Sequence, residues 1–389
     1  MTQIIYTPIL LALAACGGPQ SESQLKEEWN AANNPVRIGG KDLEYKLAEL
    51  PLAGKTRQVG WSDDYWPTYK GGLSYRWRLG YNASSINYKT FDEANISRTN
   101  LGALSPAEKY DIFMGSFNYP LVHMERARTK VLKTIPGSDF FEEAYEIPAW
   151  EGLCHGWAAA ANNFKEPKAV TMTGPSGIEV PFTSSDIKAL LTFYQQYRDN
   201  GSVKDYFMSE RCNVSFTKLD EDLRSESITE EEYRRLRNEG PCKGVNPGAF
   251  HVIIANEIGK KKDFLVMDIT RDAEVWNQPI NSYTSEVVSE SLENFSENAA
   301  PGTVKEVTLK TLVNYSVETA PNLNRIRPAE QTAVYEYSLE LNEAGEILGG
   351  TWISDMPRPD FLWRQTKPEF RGYFELLQDI YEESTVDLQ

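Results

Sequence analysis

The periodicity of this chain changes once, after Gly244. Upstream, apolar residues recur at helical spacing; downstream, short β-branched and aromatic runs alternate with polar turns. Ser105-Pro106-Ala107-Glu108 joins a capping serine, a proline in the first turn and an acid at the third position, which marks a helix start. Further helices are expected over residues 119–132, from Cys154 through Phe164, and from Ser185 onward with Ile187, Leu190, Leu191 and Tyr194 at helical spacing. Beyond Gly244, residues 250–256 and 264–269 are expected to pair as a hairpin across the polar turn 259–263. More strands are expected over 303–319, 333–341 and, after a turn at Gly345, 347–354. Helices followed by antiparallel strands predict an α+β fold. The 389 residues, 41% of them hydrophobic, suffice for a large core with elaborations. The 40 basic against 56 acidic residues give a net charge of −16, a field that repels phosphate backbones. Nucleic acid is therefore not an expected partner.

The start of the chain carries its own signal. An apolar run from Ile4 ends in Leu13-Ala14-Ala15-Cys16, too short to span a bilayer but suited to a secretory signal. Leu-Ala-Ala-Cys resembles the lipobox of bacterial lipoprotein signal peptides, although no Lys or Arg precedes it. The resemblance implies cleavage before Cys16, a diacylglycerol on its sulfur, and a location in the bacterial cell envelope. The protein would then be secreted and anchored to membrane through lipid alone, on the periplasmic or outer surface. Residues 16–35 would serve as a tether.

Secretion bears on the remaining cysteines. Cys212 and Cys242 enclose a polar segment with a helix of its own, capped at Thr229 and ended by Gly240. In an oxidising compartment these two are the expected disulfide, contributing about 3 kcal/mol, and Cys154 is left free. The alternative is a pair of buried free thiols. Asp220 and Asp222 hint at calcium, but Arg224 and Ser225 occupy positions where an EF-hand loop needs an acid and a glycine. No metal site and no cofactor are expected.

The chemistry is sought around Trp150-Glu151-Gly152-Leu153-Cys154-His155-Gly156-Trp157. A cysteine opening a helix meets unpaired amide N–H groups that favour the thiolate. His155 diverges from Cys154 by about 100° around a helix, so it is a poor base for its neighbour. His123 lies on an amphipathic helix and reads as a packed or surface residue. The expected hairpin sets His251 on one strand and Asp268 on the other, where the pair can stand side by side. Cys154, His251 and Asp268 then fit a nucleophile, base and orienting acid.

These residues sit within a wider resemblance. Val275-Trp276-Asn277-Gln278-Pro279-Ile280 resembles the core of the peptide by which plants detect oomycete cell-wall transglutaminases. Glu151-Gly152-Leu153-Cys154-His155-Gly156-Trp157 and Phe250-His251-Val252-Ile253-Ile254-Ala255-Asn256 extend it. So do Gly349-Gly350-Thr351-Trp352 and Pro359-Asp360-Phe361-Leu362-Trp363. The chain is similar to the transglutaminase elicitor family over residues 113–363, departing from the recognised peptide after Ile280.

That resemblance implies a papain-like cysteine core and transfer of glutamine acyl groups to primary amines. It implies Cys154 as nucleophile, His251 as base and Asp268 as orienting acid. The partners would be a glutamine-bearing protein or peptide and a lysine or small amine. Trp150 and Trp276 are candidates for the substrate wall, whereas Trp157 reads as core. The expected organisation is a signal over 1–15, the tether, an N-terminal extension over 36–112 and a catalytic core over 113–300. A β-rich part over 301–365 and a tail helix over 366–389 complete it. A peptidase or amidase that hydrolyses the same acyl-enzyme is the alternative, and an inactive surface-binding lipoprotein a third reading.

Overall fold

The computed structural model describes residues 29–197, 203–353 and 358–386. Cys16 and the signal expected before it lie outside the described residues. Mixed helices and antiparallel strands make up the fold, as the change of periodicity predicts. Two single turns, α1 (Val36–Gly39) and α2 (Ala83–Ile86), precede the longer helices. These are α3 (Pro106–Phe113), α4 (Pro120–Thr129), α5 (Cys154–Asn163), α6 (Ser184–Tyr197), α7 (Phe216–Arg224), α8 (Glu230–Asn238), α9 (Pro247–Ile253) and α10 (Leu377–Glu383). Ser105 caps α3 through a reciprocal box with Glu108, the arrangement its spacing foretold.

The strands are β1 (Ala53–Lys55), β2 (Val170–Thr173), β3 (Glu179–Phe182), β4 (Asp205–Ser209) and β5 (Leu265–Asp268). They continue with β6 (Asn277–Ser291), β7 (Lys305–Ser316), β8 (Glu330–Leu341), β9 (Ile347–Trp352) and β10 (Phe361–Gln365). The main sheet runs β4-β10-β5-β6-β7-β8-β9, with β1 added to β6, while β2 and β3 form a separate hairpin. Every pairing is antiparallel.

At its β5 and β10 end the sheet is buried on both faces. Val266, Phe361 and Trp363 point into a core shared with α3, α5 and α6. Leu265, Met267 and Leu362 point into a second core shared with α9, β7 and β8. The alternation follows from the two-residue period of a strand, so neighbours in sequence face different cores.

One expected element has the wrong form. Residues 250–256 are not a strand: they lie in α9 and the π-helical turn Ile254–Lys260 that continues it. Asn246 caps α9 by accepting from the amides of Gly248 and Ala249, and Pro247 occupies the first turn. All seven residues of α9 are buried, so apolar side chains occur on every side and leave no helical period to read. At Gly248 a β-carbon would stand 2.5 Å from the Gly349 carbonyl oxygen, so a bare backbone lets α9 seat against β9. The real hairpin is β5 with β6, in which Asp268 faces Asn277.

Cys212 and Cys242 form a disulfide, and with Phe216 and Leu219 they build a small separate core under α7 and α8. Cys154 is a free thiol. Among the described residues, no helix is long and apolar enough to cross a membrane.

Helix α5 owes its close seat on α6 to small residues. Ala158 and Ala160 are fully buried, and the Gly156 amide donates to Gln196 Oε1 at 3.1 Å. A β-carbon at Gly156 would stand 2.3 Å from the Thr192 carbonyl oxygen, which is backbone and cannot swing away. Gly156→Ala should therefore push the helices apart and cost about 1–3 kcal/mol, as overpacking does, read from urea denaturation. Unchanged stability would mean that the α5–α6 contact is softer than its geometry.

Candidate active site

Cys154 is the first residue of α5, and Leu153 precedes it without a side-chain cap. Only 9% of the cysteine is exposed. Its sulfur has two polar neighbours, one at the first residue of β6 and one just before that strand. The thiol donates to the Val275 carbonyl at 3.7 Å, and the Asn277 side-chain amide donates to the sulfur at 3.8 Å. Burial pushes the thiol up to about 11, opposed by the Asn277 amide and reinforced by the negative charges of Glu318 and Asp268.

Asp268 stands directly across the β5–β6 ladder from Asn277, on the face that Cys154 occupies. It is fully buried. Its Oδ1 accepts from the amides of Trp276 at 3.2 Å and Thr270 at 3.4 Å, whereas Oδ2 has no hydrogen-bond partner. Burial raises this carboxyl well above the usual carboxylate range, and the charge of Asp360 raises it further. Asp360 is buried too, with Oδ2 accepting from the Cys212 amide at 2.8 Å, and burial brings it to about 7. The disulfide segment therefore reaches the back of the site through one carboxylate.

His251 does not join this group, which corrects the triad geometry expected from the sequence. It lies in α9 against the second core, while α5 lies against the first, so the sheet stands between them. Its Nδ1 shares a 2.8 Å hydrogen bond with the Tyr337 hydroxyl, which continues to Thr311 and Ser285 as a buried chain of hydroxyls. Its Nε2 is buried with no hydrogen-bond partner. Burial lowers the imidazole to about 3. Burial disfavours both the thiolate and the imidazolium, so transfer of a proton from the thiol to this ring is opposed on both sides. Both geometry and proton affinity argue against His251 as the base.

The other sequence candidates are placed as follows. Trp150 is half-buried, with the Arg211 guanidinium 6.0 Å above its ring. Trp276 is half-buried, and its indole donates to Glu274 at 3.2 Å. Trp157 is fully buried in the core, and His123 is exposed on α4. His155 is exposed but ordered by stacking: its ring lies 4.0 Å from that of Trp363, with 5° between the planes. Two residues escaped the sequence reading as site groups, Asn277 and Trp363. Both stood in recognised motifs, and the signal that could have singled out Asn277 was a correct hairpin register opposite Asp268. Two cavities, of about 270 and 480 Å³, lie elsewhere and are not lined by Cys154.

The single free thiol among the described residues opens a buried helix against a sheet that presents an amide and a carboxyl, which defines a cysteine-centred site on an α+β scaffold. The chain belongs to the transglutaminase elicitor family, whose model matches residues 139–375. The match begins and ends later than the 113–363 expected from the motifs. In fold it is similar to the crystal structure of the GP42 transglutaminase from Phytophthora sojae, with a TM-score of 0.60 and 22% sequence identity. That alignment covers 92% of this chain and 99% of the other. No curated protein sequence matches.

The buried carboxyls make stability fall with rising pH. A carboxyl raised in the folded state stabilises fully below its unfolded value near 3.8, and that contribution is lost as pH rises through the folded value, about 7 for Asp360. The protein should melt at lower temperature at pH 8 than at pH 5. Asp360→Asn keeps an oxygen for the Cys212 amide and should raise the pH 8 melting temperature by ~2–4 °C relative to wild type, with little effect at pH 5. An equal shift at both values would show that Asp360 is not protonated in this window.

Proposed function

We propose that the protein is a transglutaminase-type acyltransferase working through a thioester at Cys154. The sulfur attacks the γ-carbonyl carbon of a glutamine side chain; the C–N bond breaks and ammonia leaves with the thiol's proton. A primary amine then attacks the thioester, the C–S bond breaks, and the sulfur regains a proton. The observation that carries this reading is the placement of the free thiol of Cys154 at the start of α5 with an amide donor on its sulfur, in a chain of this family.

Asp268 shares the sheet face of Cys154 and acts on the thiol electrostatically, and its ionised form, a minor species at neutral pH, is the one to which we assign the proton-accepting role that His251 does not fill. A carboxyl held well above its ordinary range is better matched to a thiol than an ordinary aspartate. The helix-borne cysteine facing a sheet supports the papain-like description in layout, with an acid in place of the strand histidine. Trp150 and Trp276 are proposed as walls that receive the glutamine chain and limit water. Residues 113–300 carry the core in this reading, with 301–365 completing the sheet, 36–112 as the N-terminal extension and 366–389 as the tail. A glutamine-bearing protein and a lysine or small amine are the partners. The disulfide fits an oxidising compartment, and envelope anchoring through Cys16 remains part of the proposal.

Incubation with a labelled primary amine and a glutamine-bearing acceptor protein tests the reading. Wild type should incorporate label, and Cys154→Ala should lose at least about 1000-fold. Asp268→Asn should lose most activity. His251→Asn should lower the melting temperature but leave labelling per folded molecule within about threefold of wild type, since the ring lies beyond the sheet. A loss as deep as that of Cys154→Ala would restore His251 to the chemistry; the same loss in His155→Gln would transfer the base role there. Release of ammonia without label would replace transfer by hydrolysis.

A further inference from the structure

The Cys154 sulfur lies between an acceptor and a donor that belong to one short stretch of chain. Val275 offers its carbonyl at 3.7 Å and Asn277 its side-chain nitrogen at 3.8 Å. The two suit opposite protonation states. A thiol can donate its proton to the carbonyl; a thiolate has none to give and instead takes a hydrogen bond from the amide. Ionisation of Cys154 therefore weakens one contact and strengthens the other without movement of β6.

This arrangement requires the Asn277 amide to face the sulfur with its nitrogen. A carboxamide can turn over and present either end, and the two ends are nearly alike in shape. Here the choice is made by Trp363. Its indole N–H, which can only donate, points at Asn277 Oδ1 at 2.7 Å. Turning the amide over would place two donors against each other at Trp363 and an oxygen against the sulfur. Both side chains are 2% exposed, so water cannot take over either bond at no cost. Trp363 is itself held in place: it is on β10, paired with Val266 of β5, and its ring is stacked under His155.

We propose that Asn277 stabilises the Cys154 thiolate by a hydrogen bond to sulfur, and that Trp363 is the positioning residue that fixes which end of the Asn277 amide meets it. The chemistry resting on this thiolate is the acyl transfer proposed above, but the thiolate itself can be measured without any substrate. The influence of Asn277 on the thiol runs in the required direction, downward against burial.

The test is the pH dependence of Cys154 alkylation by iodoacetamide in the full chain, followed by mass spectrometry, beside amine incorporation by the same variants. Asn277→Leu keeps the side-chain outline and removes the donor. Its alkylation profile should move to higher pH by about one unit, which is about a tenfold slower reaction at pH 8. Trp363→Phe keeps a ring for His155 and removes the indole N–H; it should move the profile the same way by a smaller amount. The double variant should be no worse than Asn277→Leu alone, because Trp363 acts through Asn277. Thermal melts check folding, and Asn277→Ala carries the same expectation should the leucine variant fail to fold. An unshifted profile in a folded Asn277 variant overturns the proposal, and an unshifted Trp363→Phe overturns the positioning role. Shifted profiles in a protein that incorporates no amine would uphold the thiolate contact while ending the transglutaminase reading.

Discussion

Burial of the central sheet on both faces governs what the rest of the molecule can do. A strand offers alternate side chains to alternate faces, so Val266 and Asp268 look one way and Leu265 and Met267 the other. Cys154 reaches the first face from α5, and the hairpin register delivers Asn277 and Asp268 to it together. Polar groups on the second face cannot join them, however near they lie in sequence. The same burial sets protonation. It drives the thiol and the carboxyls upward and the imidazole of His251 downward, each toward its neutral form. The resting site is therefore uncharged in the main, and a single well-aimed amide has more influence there than it would in water.

How far the sequence could be read depended on whether a segment keeps a polar side. Helix α3 was legible because Ser105 and Glu108 announce its cap, and β7 because its apolar and polar residues follow one another in a long run. The segment from Phe250 to Ile258 has no solvent-facing side. Its side chains are buried all round, so β-branched composition pointed to a strand although the chain is helical. The correct signal was present just upstream, in Asn246 followed by Pro247, the cap and first turn of α9. Missing it carried His251 onto the wrong element and produced a triad that the sheet divides. The disulfide was legible because its loop holds a self-capped helix that brings the ends together.

Asn277 and Trp363 show a different limit. Each lies in a motif that carries the family resemblance, beside tryptophans and a cysteine with more evident chemistry. An asparagine gains a function only from what its two ends meet, and one end here meets an indole 86 residues away. Nothing local encodes that pairing. It arises because β10 and β6 both flank β5, which places Trp363 and Asn277 on one face with Cys154 beyond them.

The family match begins at residue 139, yet the loop that aims Cys154 is held from outside it. The Leu153 amide donates to the Tyr65 carbonyl at 2.6 Å, the Tyr65 hydroxyl donates to the Ala149 carbonyl at 2.6 Å, and the Thr68 amide donates to the Glu151 carbonyl at 2.8 Å. Residues 61–68 are buried save for Tyr65, and Trp66 among them is fully buried with a positive φ of 50°, a conformation that a bulky residue keeps only when its surroundings enforce it. The enforcement runs both ways: the loop orders the segment, and the segment orders the loop. A chain cut to the matched region would leave three backbone groups of residues 149–153 without their partners and would remove Trp61 and Trp66 from the core they share with Trp157. The boundary of shared sequence is thus not a boundary of folding, and residues 61–68 are part of what holds Cys154 at the start of its helix.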